Sequence, residues 1–202
     1  MASFSHKYFL FIFLLVLHTN ISSEIEDEIV VTGDWREIKK SDKDSSLKIF
    51  DQTYLNKNQV KHFEDLTYSI PNLNFAASDS RPRYFQIRGI GERSGYEGTP
   101  NSSVGFLIDD IDFSGQGGIA SSYDIQQVEI YRGPQGSRMG ANALAGLIYI
   151  KTNDPEDIFE VKANLTFGDF GRKDFGGSIN IPINEKFKYR FSFKKEDMDG
   201  FR

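Results

Sequence analysis

The chain has 202 residues, with 24 lysines and arginines against 29 aspartates and glutamates and a net charge of −5. That length fits one ordinary domain, or one domain and part of another, and that charge does not supply the basic field that nucleic-acid binding needs. There is no cysteine, which excludes disulfides, thiolate nucleophiles and cysteine metal sites, while 18 Phe and 9 Tyr at a mean hydropathy of −0.43 suit strands with one apolar and one polar face.

At the N-terminus, Tyr8 to Leu17 is an unbroken apolar run behind a short polar start with His6 and Lys7. It falls well short of the roughly 20 residues of a spanning helix, and small Ser22 and Ser23 follow it, so residues 1–23 read as an export signal cleaved near Ser23. EDEIVVTG (Glu26 to Gly33) is then a β-prone run with an acidic lead. DWREIKKSDKDSS (Asp34 to Ser46) is highly charged without an apolar period, the composition of a flexible linker. The run at Ile29 to Val31 is either a strand-former on a tether, able to pair through its backbone with the sheet edge of another protein, or the first strand of the domain. The pattern does not separate the two.

Folded character begins at Leu47. LKIF reads as a strand, Asp51 as the N-cap of a helix over QTYLNKNQ, and HFEDLTYSI (62–70) as a second helix with Phe63, Leu66 and Ile70 on one face, stopped by Pro71. RYFQIRGIG (Arg83 to Gly91) reads as a strand, and VGFLIDDIDF (Val104 to Phe113) as two strands around a tight Asp-Asp turn. A polar loop, ERSGYEGTPNSS, lies between them. SSYDIQQ reads as a short serine-capped helix, and SRMGANALAG as another, packed against the strands that flank it. This small α+β unit ends near Thr152. Beyond Asn153 the period changes to 2 in three runs: EVKANLTFG, DFGGSINIPI and FKYRFSFK. Three antiparallel strands with one apolar face match the dyad pattern of a transmembrane β-barrel, but a half-buried soluble sheet has the same period.

Catalytic and cofactor motifs fail on detail. Ala141 and Asn142 stand where a P-loop needs Lys and Ser or Thr, and GIGERSG has Ser94 in place of the last glycine of a dinucleotide fingerprint. Asp109, Asp110 and Asp112 lack EF-hand spacing and read as a hydrogen-bonding turn. His62 is the only histidine outside the signal, so no triad or histidine metal site can be built. The chain is read as a non-enzyme with no cofactor and no metal. The glycines around VEIYRGPQGSRMGANALAGLIYIKT (Val128 to Thr152) serve turns and close packing instead.

DEIVVTG, IRGIG, VGFLIDDI and VEIYRGPQGSRMGANALAGLIYIKT, in that order, resemble the TonB box and plug-domain motifs of TonB-dependent outer-membrane receptors. The resemblance covers Asp27 to Thr152, and the three later strands match the start of the family's barrel. It implies an α+β plug domain followed by the first antiparallel strands of a transmembrane β-barrel. The expected division is a signal (1–23), a TonB box and flexible linker (24–46), a plug (47–152) and a barrel start (153–202). The implied role is active uptake of a scarce nutrient of the siderophore, cobalamin or oligosaccharide class across the cell outer membrane, by a monomer in contact with lipid. Asp27, Glu28, Ile29, Val30, Val31 and Thr32 would form the box that pairs with the TonB protein. Arg88 and Arg132 would lock the plug to barrel glutamates, since burying them demands such partners. Glu92, Arg93, Tyr96, Glu97, Asn101 and Gln116 would lie in loops facing a small-molecule or metal-chelate ligand. The family barrel has ~22 strands and this chain carries three, so the expectation is a fragment of a longer product or a truncated one. The other reading is a secreted, stand-alone plug-like binding module.

Overall fold

Residues 47–51, 104–108, 125–132 and 146–152 carry apolar side chains on both alternating sets, the mark of strands covered on both faces. The computed structural model describes residues 30–33, 38–39, 46–60, 62–77, 82–94, 101–116 and 121–199. In chain order, β1 (Val30–Val31) pairs antiparallel with β2 (Ile38–Lys39). β3 (Leu47–Asp51) runs into helix α1 (Gln52–Lys57), where the Asp51 carboxylate caps the first turn by accepting from the Tyr54 amide at 2.7 Å. Helix α2 (Phe63–Thr67) follows, then β4 (Leu73–Ala76) and β5 (Tyr84–Ile87), which pair with each other. β6 (Val104–Ile108), β7 (Ile111–Asp112), β8 (Ile125–Arg132), helix α3 (Gly136–Met139) and β9 (Gly146–Thr152) complete the unit. The main sheet has the order β3-β8-β9-β6-β7, antiparallel except for β6 beside β9.

Alternation along these strands builds two cores. On one face Phe50, Phe106, Val128, Ile130, Ile148 and Ile150 pack with α1, α2, β4 and β5. Phe63 there meets Phe85 and Phe106 edge-on, with ring centroids 5.2 Å and 5.4 Å apart. On the other face Ile49, Leu107, Tyr131, Leu147 and Tyr149 are covered by Val31. The Asp-Asp hairpin turn is as expected: Asp109 and Asp110 take φ of 45° and 70°, the left-handed pair that a two-residue hairpin requires.

Several local expectations give way to tertiary pairing. SSYDIQQ is not a helix. Asp124 turns at φ 58°, and Ile125 already pairs with Thr152 in β8. A helix of one or two turns is marginal by itself, and the sheet offers the same backbone a full ladder of partners. The helix expected over SRMGANALAG shrinks to α3, ended by Gly140 at φ 62°. α2 likewise stops at Thr67, with Tyr68 to Pro71 in turns. β4 was not foreseen; at four residues it shows no usable period.

The last strands, β10 (Glu160–Phe167), β11 (Lys173–Pro182) and β12 (Lys188–Asp197), form an open antiparallel sheet in sequence order. Its polar side is the inner one. Asp174, Ser178 and Asn180 are buried, whereas Leu165, Phe167, Phe191 and Phe193 stand exposed. Polar inward and apolar outward is the reverse of a soluble sheet and the arrangement of a barrel wall in lipid.

Candidate functional site

β8 presents Gln127, Glu129 and Tyr131 on one face at period 2, and all three are buried. The N-terminal segment lies against that row. Glu129, with 0% of its surface exposed, accepts from the Thr32 amide at 2.6 Å, the Thr32 hydroxyl at 2.7 Å and the Gly33 amide at 3.0 Å. Gln127 Nε2 at 2.6 Å and the Tyr131 hydroxyl at 2.5 Å complete the set. Gln127 Nε2 also donates to the Val30 carbonyl and the Thr32 hydroxyl, both at 3.0 Å. These donors to Glu129 are all neutral. Hydrogen bonds to a charged acceptor contribute about 1.5–3 kcal/mol each, so together they offset much of the cost of burying the carboxylate.

Two further features hold the segment. Val31 is fully buried against Leu107, Leu147 and Tyr149, worth about 1.5–3 kcal/mol. Gly33 is needed for close approach: a Cβ there would lie 2.7 Å from the Tyr131 hydroxyl and 2.8 Å from the Glu129 carboxylate. Thr32 also walls an open cleft of about 410 Å³ shared with Leu107, Asp110, Asp112, Arg138 and Asn142. Arg138 bridges the Asp110 carboxylate and the ring of Tyr149.

Of the expected box, Val30 and Val31 therefore form a strand paired with β2, and Thr32 after them is docked on β8, so the segment is not an isolated strand-former. Asp27, Glu28 and Ile29 lie outside the described residues, as do residues 1–23 and most of the linker. The apolar pair of Val30 and Val31 tips the balance: in a short segment beside a half-open apolar face, burying Val31 outweighs the order it imposes.

Arg88 and Arg132 fall at one end of the main sheet. Arg132 pairs with Gly146 in the β8–β9 ladder, and Ile87 Cδ1 packs so close to Gly146 that a Cβ there would meet it at 2.6 Å. Arg88 is exposed in a turn at φ 54°. The buried Arg132 Nε has no hydrogen-bond partner among the described residues. Of the loop residues, Glu92, Arg93 and Asn101 lie between β5 and β6, and Gln116 follows β7. Glu92 sits at the foot of its loop: its carboxylate accepts from the Ser103 amide at 2.9 Å and hydroxyl at 2.7 Å. Arg93, Asn101 and Gln116 are exposed, and Tyr96 and Glu97 lie outside the described residues.

The aspartates of the hairpin close local structure. Asp109 accepts from the Thr152 amide and hydroxyl at 3.0 Å and 2.6 Å, and Asp112 from the Ser114 amide at 2.8 Å. Among the described residues no group of three or more acidic or histidine side chains is placed to hold a metal. Burial, reinforced by Asp110, pushes the Tyr149 phenol above its usual range, which keeps it protonated and poor as a base.

Reading the sequence did not single out Gln127 and Glu129. The available signal was a charged residue inside an otherwise apolar strand, VEIYR, where a carboxylate must find buried donors. Asp124 and Arg190, which join the plug unit to β12, were also missed, because neither sits in a motif.

A family model described as the TonB-dependent receptor plug domain matches residues 39–147, more than half of the chain. Among curated proteins, the chain is 23% identical over 185 residues to a vitamin B12 transporter, BtuB, of Vibrio vulnificus, covering 89% of this chain and 29% of that protein. Among solved structures, it is similar to the ferripyoverdine receptor of the outer membrane of Pseudomonas aeruginosa, with a TM-score of 0.69, 16% identity and coverage of 84% of this chain and 22% of the other. It is also similar to the alcaligin outer-membrane receptor FauA of Bordetella pertussis, with a TM-score of 0.66, 17% identity and coverage of 84% and 29%. These likenesses agree on the fold, and the chain spans less than a third of the length of each of these three proteins.

Proposed function

The chain belongs to the TonB-dependent receptor plug-domain family, and from that premise we propose that it is the gating and coupling end of an outer-membrane importer, a binding and transport protein rather than an enzyme. Residues 1–23 would direct export, 24–46 would couple, 47–152 would plug, and 153–202 would begin the barrel. The polar-in, apolar-out sense of β10 to β12 supports a wall in lipid, and the exposure of Phe167 and Phe191 argues against a soluble stand-alone module.

The observation that carries the coupling role is the docked N-terminal segment. Asp27 to Thr32 would act as the TonB box, stored on the plug by Glu129 and released for backbone pairing with TonB. Release would uncover the backbone of Val30 and Val31, on a strand that among the described residues is paired with β2. Arg132, whose buried Nε has no hydrogen-bond partner among the described residues, and Arg88 would receive carboxylates from barrel strands. The loops carrying Glu92, Arg93, Tyr96, Glu97, Asn101 and Gln116 would face the ligand. The relatives named for vitamin B12, alcaligin and ferripyoverdine support a small, scarce nutrient or metal chelate.

The test is uptake by cells expressing the gene's full product, with radiolabelled cobalamin and with ferric siderophores, in hosts with and without TonB. Uptake of one ligand that needs both TonB and residues 27–32 is expected. Accumulation that is indifferent to TonB, or none for any ligand by a receptor present in the outer membrane, rejects the reading.

A further inference from the structure

Four consecutive residues, Ser121 to Asp124, are pinned between the plug and the open sheet. Ser121 bridges to His62, whose Nε2 lies 3.3 Å from the Glu196 carboxylate of β12. The Ser122 hydroxyl donates to the Val60 carbonyl at 2.6 Å. The Tyr123 ring lies so near Gly176 of β11 that a Cβ at 176 would meet it at 3.1 Å. The Asp124 carboxylate accepts from Arg190 Nε at 2.9 Å and Nη2 at 2.7 Å, and from Asn153 Nδ2 at 2.9 Å. The two charged side chains are only 8% and 7% exposed.

We propose that the Asp124–Arg190 pair is the positioning anchor that keeps the plug on the barrel wall while the face carrying Val30 to Gly33 lets go. The idea rests on the reading of β10 to β12 as barrel strands. A two-pronged guanidinium–carboxylate contact fixes orientation as well as distance, which a single ammonium would not. The contact joins residues 66 apart in the chain, one in each body. It also lies at the end of the sheet where Ile125 pairs with Thr152, opposite the end where Arg132 pairs with Gly146. The plug is thus tied at the end remote from Arg88 and Arg132, and on the strands that immediately follow it. Burial opposes the charge on Asp124, but the hydrogen bonds from Arg190 and Asn153 prevail and hold its carboxyl below the usual range, so it stays ionised at neutral pH.

The experiment compares D124N, R190Q and D124N/R190Q in the gene's full product in the outer membrane. The Asp124→Asn change keeps a side chain that tolerates the left-handed turn. The readouts are sensitivity to vancomycin, a large polar antibiotic that a seated plug keeps out, and heat-modifiable mobility of the assembled barrel. Each single change strands a buried charge and is expected to raise sensitivity about tenfold, and the double change is expected to be no worse than either single one. Sensitivity at the wild-type level in both singles, or effects that simply add in the double variant, overturns the anchor. If the singles lose the assembled barrel, its return in the double variant supports the anchor, and its loss in all three overturns it. A wild-type protein absent from the outer membrane would instead defeat the underlying transport reading.

Discussion

At Glu129 a buried carboxylate meets neutral donors, three of them from one short segment; at Asp124 a buried carboxylate meets an arginine from a separate sheet. Both are shielded from solvent, yet their consequences differ. If the N-terminal segment lifts away as proposed, water entering the opened face can replace the amide and hydroxyl donors that leave Glu129, which lowers the cost of undocking. When Arg190 leaves Asp124, two opposite charges in a poorly hydrated contact lose each other, and water must solvate both before the cost falls. The same chemical group therefore suits the proposed latch in one place and the proposed anchor in the other.

The largest effect is expected at Glu129 itself. Glu129→Ala removes the acceptor shared by Thr32, Gly33, Gln127 and Tyr131 and is expected to cost about 3 kcal/mol or more. The chain has no cysteine, so a spin label on Val30→Cys, at a position already 37% exposed, reports docking directly. The label should turn from restricted to free in the Glu129→Ala background, and an unchanged spectrum would sink the latch. Gly33→Ala should come next, at about 2 kcal/mol, because its methyl group would press on Tyr131 and Glu129. The same label should show partial release while the plug core keeps its protease resistance. Val31→Ala removes two buried carbons and is expected to cost about 1.5–2 kcal/mol, visible as a higher amide exchange rate at Thr32 and Gly33.

The smallest effect at neutral pH is an acid dependence at the anchor. Asp124 has its folded value depressed, so its contribution is fully present above the unfolded carboxyl value of about 4 and is lost as pH falls through the lower folded value. Protease protection of the plug against the barrel strands should therefore persist through mild acid and fall only below that range. In Asp124→Asn it should start lower and be flat across the same interval; a parallel decline in both would assign the acid sensitivity to another group.

Much of the architecture is written locally. Asp51 as a cap, the Asp109–Asp110 hairpin and the period-2 runs of β10 to β12 follow from side-chain type and spacing, because these set φ, ψ and alternation within a few residues. The ordered motifs from Asp27 to Thr152 likewise carried the family resemblance. The failures are equally local: SSYDIQQ satisfies a helical reading until Ile125 finds Thr152, a partner the segment itself does not announce.

Pairing over long separations was settled by the fold alone. Thr32 and Glu129 are 97 residues apart and Asp124 and Arg190 are 66 apart, and nothing near either member names the other. The sequence determined that β10 to β12 have an apolar and a polar face, but not which one looks outward. It left Val30 and Val31 open between a tether and a first strand. The fold resolves both by the same rule: an apolar side chain goes where it displaces the most water or meets none, and a buried charge goes only where donors already converge.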